Sequence, residues 1–308
     1  MTDPNPRVAP DFVIVGAPKS GTSAMYAYLR EHPAIYLPPR KELRYFGTDL
    51  DDGYGRPLSD ANYDDHYAAI PAGAMVGTAY VWYLYSRAAA QQIAHVAPTA
   101  RIIAMLRNPV DMLPALHAEH LSNGNEDIDD FADALAAEAD RRAGRRIPPE
   151  AHLPQGLLYS EVPRYTEQLQ RYVDAFGRER IQVAIFDDFR RDPAGVYAGV
   201  LRFLGLDPSF RPDSFAVVNP RHRVRSQRVR RFLSRPPEAS RRMARMLIPR
   251  RMRQSLWSRL AASNERAVAP APLQPAMRQR LHSMFDDEVE RLSRLLDVDL
   301  SAWRDGPS

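Results

Sequence analysis

Phe12-Val13-Ile14-Val15-Gly16-Ala17-Pro18-Lys19-Ser20-Gly21-Thr22-Ser23 is the stretch that decides the fold of this 308-residue chain. A short apolar, β-branched run meets a Gly/Pro/Ser loop, and the loop opens into a helix-like stretch from Ala24 to Arg30. That order reads as a strand, an anion-cradling loop and a helix amino terminus, whose unpaired N–H groups and dipole favour negative charge. Lys19 adds a positive charge to the loop. It is one of only two lysines among forty-two basic residues, the other being Lys41. In a chain that otherwise uses arginine, both positions call for a compact ammonium with three donors instead of a wide planar fork.

Outward from this stretch, strand-like and helix-like segments alternate, which predicts an α/β protein of three layers: a central parallel sheet with helices on both faces. Strands are expected at Phe12 to Val15, Ala74 to Ala79, Arg101 to Leu106 and Ile181 to Phe186. Helices are expected at Thr22 to His32, Arg87 to Val96, Val110 to Ser122, Ile128 to Arg142, Ser160 to Phe176 and Pro193 to Leu204. The run Arg101-Ile102-Ile103-Ala104-Met105-Leu106 is almost continuously apolar, as a strand buried on both faces requires. Open α/β sheets hold nucleotides at the carboxyl ends of their strands. Both the Gly16–Gly21 loop and Arg107-Asn108-Pro109-Val110-Asp111 follow strands in this way.

Gly16 and Gly21 have the spacing of the nucleotide-triphosphate P-loop, but that pattern needs a lysine directly after its second glycine, and here Thr22 and Ser23 follow. A kinase reading is therefore disfavoured. With its lysine moved to the middle of the loop, Pro18-Lys19-Ser20-Gly21-Thr22-Ser23 closely resembles the 5′-phosphosulfate loop of sulfotransferases that use 3′-phosphoadenosine 5′-phosphosulfate (PAPS). Pro38-Pro39-Arg40-Lys41-Glu42-Leu43-Arg44-Tyr45-Phe46 resembles the Lys-Glu-x-x-(Phe/Tyr)-Phe segment of the carbohydrate and heparan sulfate branch and its bacterial relatives. The resemblance implies a P-loop-like sulfotransferase fold, Glu42 as general base, Lys19 and Lys41 at the phosphosulfate, and Pro18 to Ser23 as the donor loop. Such a pairing suits the chemistry: a carboxylate takes the proton of an attacking hydroxyl while ammonium groups meet the charge on the departing phosphate.

Arg107-Asn108-Pro109-Val110-Asp111 resembles the 3′-phosphate segment of the same family, which implies that Arg107 holds that phosphate with its bidentate fork. The likeness then lapses. Met112 stands where a second arginine is usual, and Ala115 replaces the serine that also contacts the 3′-phosphate. Each absent charge-assisted bond is worth about 1.5–3 kcal/mol, or one to two decades of affinity. Arg221 and Arg223, in Asn219-Pro220-Arg221-His222-Arg223, are the candidates to compensate, as part of a late basic loop over the nucleotide. His117 and His120 share a helix face but do not by themselves specify a metal site, so none is expected. Packing suits His117, and its functional reading is as a neighbour of the acceptor hydroxyl.

The charge is segregated. From Arg221 to Arg259 there are fourteen arginines against Glu238 alone, a local charge of +13, so the rest of the chain carries −9. Apolar residues interleave with these arginines as in basic amphipathic helices. Residues 221–260 read as a helical lid packed on the core, with docking on an anionic membrane surface or an acidic acceptor as the alternatives. No nucleic-acid module accompanies the charge, and no nucleic-acid partner is expected. The expected organisation is a disordered polar segment, residues 1–10, followed by one domain, 11–308. Cysteine is absent, which removes disulfide and thiol chemistry. Residues 1–10 lack an apolar leader and no run approaches the length that spans a bilayer, so the expected location is cytoplasmic. The expected reaction is transfer of a sulfuryl group from PAPS to a hydroxyl, or less readily an amine, of a carbohydrate, lipid or secondary metabolite. A nucleotide kinase or a diverged nucleotide-binding protein that docks on anionic surfaces are the alternatives.

Overall fold

A computed structural model of the protein describes residues 8–50, 58–216, 222–224, 265–267 and 273–305. The five principal strands are β1 (Phe12–Gly16), β2 (Ile35–Tyr36), β3 (Met75–Ala79), β4 (Arg101–Leu106) and β5 (Ile181–Ile185). All pair in parallel, in the order β2-β3-β1-β4-β5. Every residue of β1 is buried, as are all residues of β4 after Arg101, so the near-continuous apolar runs are explained by helices on both faces.

Strand pleat divides the core. Val13 and Val15 of β1, with Ile102, Ala104 and Leu106 of β4, belong to one apolar cluster. Phe12 and Ile14, with Ile103 and Met105, belong to the other. On the first face pack α3 (Ala89–Val96), α4 (Pro109–Asn123), α7 (Tyr165–Phe176) and α10 (Pro275–Leu296); on the second pack α1 (Thr22–Arg30) and α9 (Pro193–Leu204). Leu281, Phe285, Val289, Leu292 and Leu296 form the apolar stripe of α10, with the three- and four-residue spacing of a one-sided helix. This is the expected three-layer α/β architecture.

Between these elements lie α2 (Asp60–Asp65), α5 (Phe131–Ala136), α6 (Glu138–Arg142) and α8 (Phe186–Arg191), and the chain closes on α11 (Ala302–Asp305). A short antiparallel pair, β6 (His222–Val224) and β7 (Glu265–Ala267), runs beside α4. The expected helix from Ile128 to Arg142 is two shorter ones that meet at Ala137, the first capped by the Asp130 carboxylate on the N–H groups of Ala132 and Asp133. The helix expected from Ser160 begins at Tyr165. Pro163 accounts for the delay, because proline disfavours helical backbone in the residue before it. The strand expected to reach Phe186 ends at Ile185, because Phe186 to Arg191 is itself a helix, and the Asp192 carboxylate then caps α9 by accepting the Gly195 N–H at 2.8 Å. Of the Arg-rich segment, residues 222–224 alone are described; the expected lid lies otherwise outside the described residues, as does Arg221.

Strand order sets the position of the site. From β1 the chain goes to the edge strand β2, returns to β3 beside β1, then crosses to β4 and β5 on the other side. The crevice at the carboxyl ends of β1 and β4 is thus the switch point of the sheet, where such folds bind ligands.

Candidate active site

The loop after β1 ends at Gly21, which caps α1 in the left-handed conformation at φ 87° without a side-chain cap. The first turn of α1 carries no acidic residue. Its N–H groups therefore present partial positive charge with no competing carboxylate on the helix, which fits an anionic ligand. Only glycine serves at Gly21: its φ is positive, and a Cβ would lie 3.1–3.2 Å from the Phe189 and Phe186 rings. Gly16 is closed in more tightly, since a Cβ there would meet the Val81 carbonyl oxygen at 2.7 Å.

Lys19 and Glu42 are two of four non-glycine residues with positive φ among the described residues, at 57° and 64°. Such backbone costs about 1–3 kcal/mol per residue and persists where its surroundings impose it, often at functional sites. For Lys19 those surroundings include Arg107, whose Nη1 donates to the Lys19 carbonyl at 3.2 Å. Arg107 also lies over the Phe186 ring, 4.8 Å from its centre, and its own carbonyl accepts the Tyr165 hydroxyl at 3.2 Å. The loop and the start of α4 are in this way fastened together. Asn108 caps α4 by accepting the Val110 N–H at 3.0 Å, and Pro109 occupies the first helical position.

The second lysine reaches the same place from another segment. Lys41 Nζ donates to the Thr22 hydroxyl at 3.3 Å and pairs with Glu42 Oε1. The other oxygen of Glu42 accepts the Val81 N–H at 2.9 Å, just beyond β3. Thr22, Lys41 and Glu42 are thus joined by direct contacts at the first turn of α1, and Arg107 and Lys19 by a separate one at the loop that leads into it. Ser20 is buried and its hydroxyl donates to the Pro18 carbonyl at 3.2 Å, an internal bond that shapes the loop.

Met112 and Ala115 are both buried, Met112 within the apolar core. At the two positions where the resemblance implies further phosphate contacts, α4 therefore offers packing. Arg223 lies in β6 beside α4, and its side chain is not described.

Glu119, to which no role was expected, forms an ion pair with Lys19 at 2.5 Å, both side chains part-exposed. Helical spacing held the clue. Positions i, i+3 and i+7 from Met112 place Ala115 and Glu119 on one face of α4, the face that the resemblance assigns to the nucleotide.

His117 lies about 200° around the helix from Glu119. It is buried, its Nε2 lies 2.9 Å from the Ile128 carbonyl, and its ring packs on Phe131 and Tyr159. Burial holds its pKa below the ordinary imidazole value, and pushes that of His120 down to about 3. Neither histidine joins a group of three metal-ligand side chains among the described residues.

Beneath these histidines is a buried ion pair that sequence reading missed. Arg141 Nη2 donates to both oxygens of Glu126, at 2.7 and 2.8 Å, and neither side chain has any exposure. The Tyr159 hydroxyl donates to Glu126 at 2.9 Å, and Arg141 Nη1 donates to the carbonyls of Ala134 and Leu157. Burial pushes the Glu126 pKa up, but the Ile128 backbone N–H, Arg141 and Tyr159 outweigh it and hold the carboxyl below its usual range. The network ties residues 126–159 together and meets α4 at His120, whose Nδ1 lies 3.5 Å from the Tyr159 hydroxyl, and Trp82, next to Val81, stacks on His120 with ring centres 6.2 Å apart.

No family model matches the chain. It is 28% identical to a sulfotransferase of known crystal structure from Alicyclobacillus acidocaldarius, with a TM-score of 0.70 over 96% of this chain and 99% of that one. Among curated proteins, it is 27% identical over 212 residues to the human bifunctional heparan sulfate N-deacetylase/N-sulfotransferase 3, covering 65% of this chain and 23% of that protein. A membrane-associated sulfotransferase, kil1 of Dictyostelium discoideum, is 28% identical over 102 residues, 33% of this chain and 21% of that protein. The chain thus spans under a quarter of the length of these curated relatives. Sheet order, a lysine-bearing loop without the P-loop lysine, and likeness over nearly the whole of a solved sulfotransferase lead to one conclusion: the chain has a sulfotransferase fold and is similar in sequence to sulfotransferases.

Proposed function

We propose that this protein transfers a sulfuryl group from PAPS to a hydroxyl, or less readily an amine, of a carbohydrate, lipid or secondary-metabolite acceptor. When bound, PAPS supplies an electrophilic sulfur: a bond forms from the acceptor oxygen to sulfur as the bond from sulfur to the 5′-phosphate oxygen breaks, the acceptor loses its proton, and adenosine 3′,5′-bisphosphate (PAP) departs. The observation that carries this reading is the contact chain Thr22–Lys41–Glu42, which sets a carboxylate and an ammonium beside the amino terminus of α1.

Each residue then has a task. Pro18 to Ser23 and the first N–H groups of α1 hold the 5′ end of the nucleotide. Lys19 and Lys41 meet the charge that gathers on the departing phosphate oxygen. Glu42, oriented through Oε2 by the Val81 N–H, takes the acceptor proton. Arg107 holds the 3′-phosphate, with Arg221 and Arg223 as further contributors, while His117, buried against Phe131 and Tyr159, is left with packing.

Glu42→Gln tests this reading. Turnover should fall by about 10²–10⁴-fold, the range for positioned acid–base catalysis, with PAP affinity retained. Unchanged turnover removes Glu42 from the role. The buried Met112 and Ala115 favour one second reading, a diverged nucleotide-binding protein. That reading predicts PAP binding by the unaltered protein with no sulfuryl transfer to any hydroxyl or amine.

A further inference from the structure

Asp111, Ala115 and Glu119 follow one another at four-residue spacing along α4 and so form one stripe of that helix. The carboxyl end of the stripe faces the β1 loop, because Glu119 pairs with Lys19. Its amino end, four residues beyond Arg107, faces α10: Arg278 Nη2 donates to Asp111 Oδ1 at 3.0 Å, and both side chains are part-exposed. The other terminal nitrogen of Arg278, Nη1, is buried and has no hydrogen-bond partner among the described residues. Buried donors are rarely left unpaired, and a charged one left so is costly. Nor does α10 gain from this side chain. Arg278 is its fourth residue, in a first turn without an acidic side chain, and a helix amino terminus disfavours a cation.

In the donor reading given above, the 3′-phosphate lies against this side of α4, where Met112 and Ala115 offer it no polar side chain. A phosphate monoester bears about 1.5–2 negative charges at neutral pH, and Arg107 brings one positive charge to it. A second guanidinium at the amino end of the stripe, one helical turn from Arg107, meets that deficit.

We propose that Arg278 is a second ligand of the 3′-phosphate, supplied by α10 where α4 itself carries none. Asp111 aims the planar fork, taking Nη2 and leaving Nη1 to donate to a phosphate oxygen. The side chain keeps 31% of its surface exposed, so a ligand approaches it without opening the core. The inference rests on the donor reading.

Titration calorimetry of PAP and of adenosine 5′-monophosphate, which lacks the 3′-phosphate, tests this on the full chain and on its Arg278→Met and Arg278→Lys variants. Asp111 offsets part of the charge, so Arg278→Met should bind PAP roughly ten-fold more weakly, the low end of the range for one charge-assisted bond. The monophosphate should bind all three proteins alike. Arg278→Lys keeps a cation beside Asp111 but loses the fork, and should weaken PAP by roughly three-fold. Unchanged PAP affinity in Arg278→Met overturns the inference, and so does an equal loss for both nucleotides, which a general change of structure would produce. Should Arg278→Met fail to fold, Arg278→Lys decides by the same two criteria. Failure of the parent to prefer PAP over the monophosphate overturns the donor reading itself, and the inference with it.

Discussion

Arg141→Met removes one half of the most deeply buried ion pair among the described residues and keeps much of the side-chain volume. The Glu126 carboxylate would lose two bonds, at 2.7 and 2.8 Å, and keep the Tyr159 hydroxyl and nearby backbone N–H groups, with no exposure to water. The Ala134 and Leu157 carbonyls would lose a donor as well. Breaking a buried pair from one side costs about 3–5 kcal/mol, because an uncompensated charge is left behind. At about 2–4 °C per kcal/mol for a chain of this order of size, the melting midpoint should fall by roughly 6–20 °C. Replacing both residues, as Glu126→Gln with Arg141→Met, should recover part of that loss, since no buried charge remains. Differential scanning calorimetry and urea titration of the two single variants and the double variant measure the coupling. A single-variant loss under 1 kcal/mol, or additivity of the two substitutions, would refute the claim that this pair holds residues 126–159 together.

Arg107→Ala should weaken PAP by about one to two decades in affinity, with little change for adenosine 5′-monophosphate, as calorimetry would show; equal losses for both would remove the 3′-phosphate from Arg107. His120, with its pKa lowered to about 3 by burial, makes stability depend on pH. The unfolded chain binds a proton there below about pH 6.5 while the folded one does not, so stability is full above that value and falls by about 1.4 kcal/mol per unit as pH drops toward 3. His120→Gln should show a shallower decline in melting midpoint between pH 6.5 and 5; an unaltered slope would assign the acid sensitivity elsewhere.

The parts of the fold that sequence made legible are those in which local pattern and tertiary demand coincide. β4 spans Arg101–Leu106, as read from a continuous apolar run, and α9 spans Pro193–Leu204, the bounds expected of it. β2 escaped notice because it is two residues long, Ile35–Tyr36, and exists through its pairing with Met75 and Val76. α8 escaped notice because it starts directly at the end of β5 with no loop to mark it. At the candidate site, the loop and the Lys41–Glu42 pair were legible because each is a contiguous motif whose residues share a chemical task. The Lys19–Glu119 pair and the Glu126–Arg141–Tyr159 network were not, since each partner is an ordinary residue in its own neighbourhood. Their meaning arises when the sheet brings α4 beside the β1 loop and folds residues 126–159 beneath it.

The central claim is that Lys19 and Lys41 serve one sulfur-bearing nucleotide tail. Thermal unfolding with PAP, and separately with ATP and Mg²⁺, examines it most directly, because a ligand that binds only the folded state raises the midpoint by mass action. At a hundred-fold excess over its dissociation constant, PAP should add about 2.7 kcal/mol, with most of that gain lost in Lys19→Met and in Lys41→Met, and with ATP and Mg²⁺ giving a much smaller shift. Stabilisation by ATP and Mg²⁺ equal to or greater than that by PAP, or a PAP shift untouched by either lysine substitution, would contradict it.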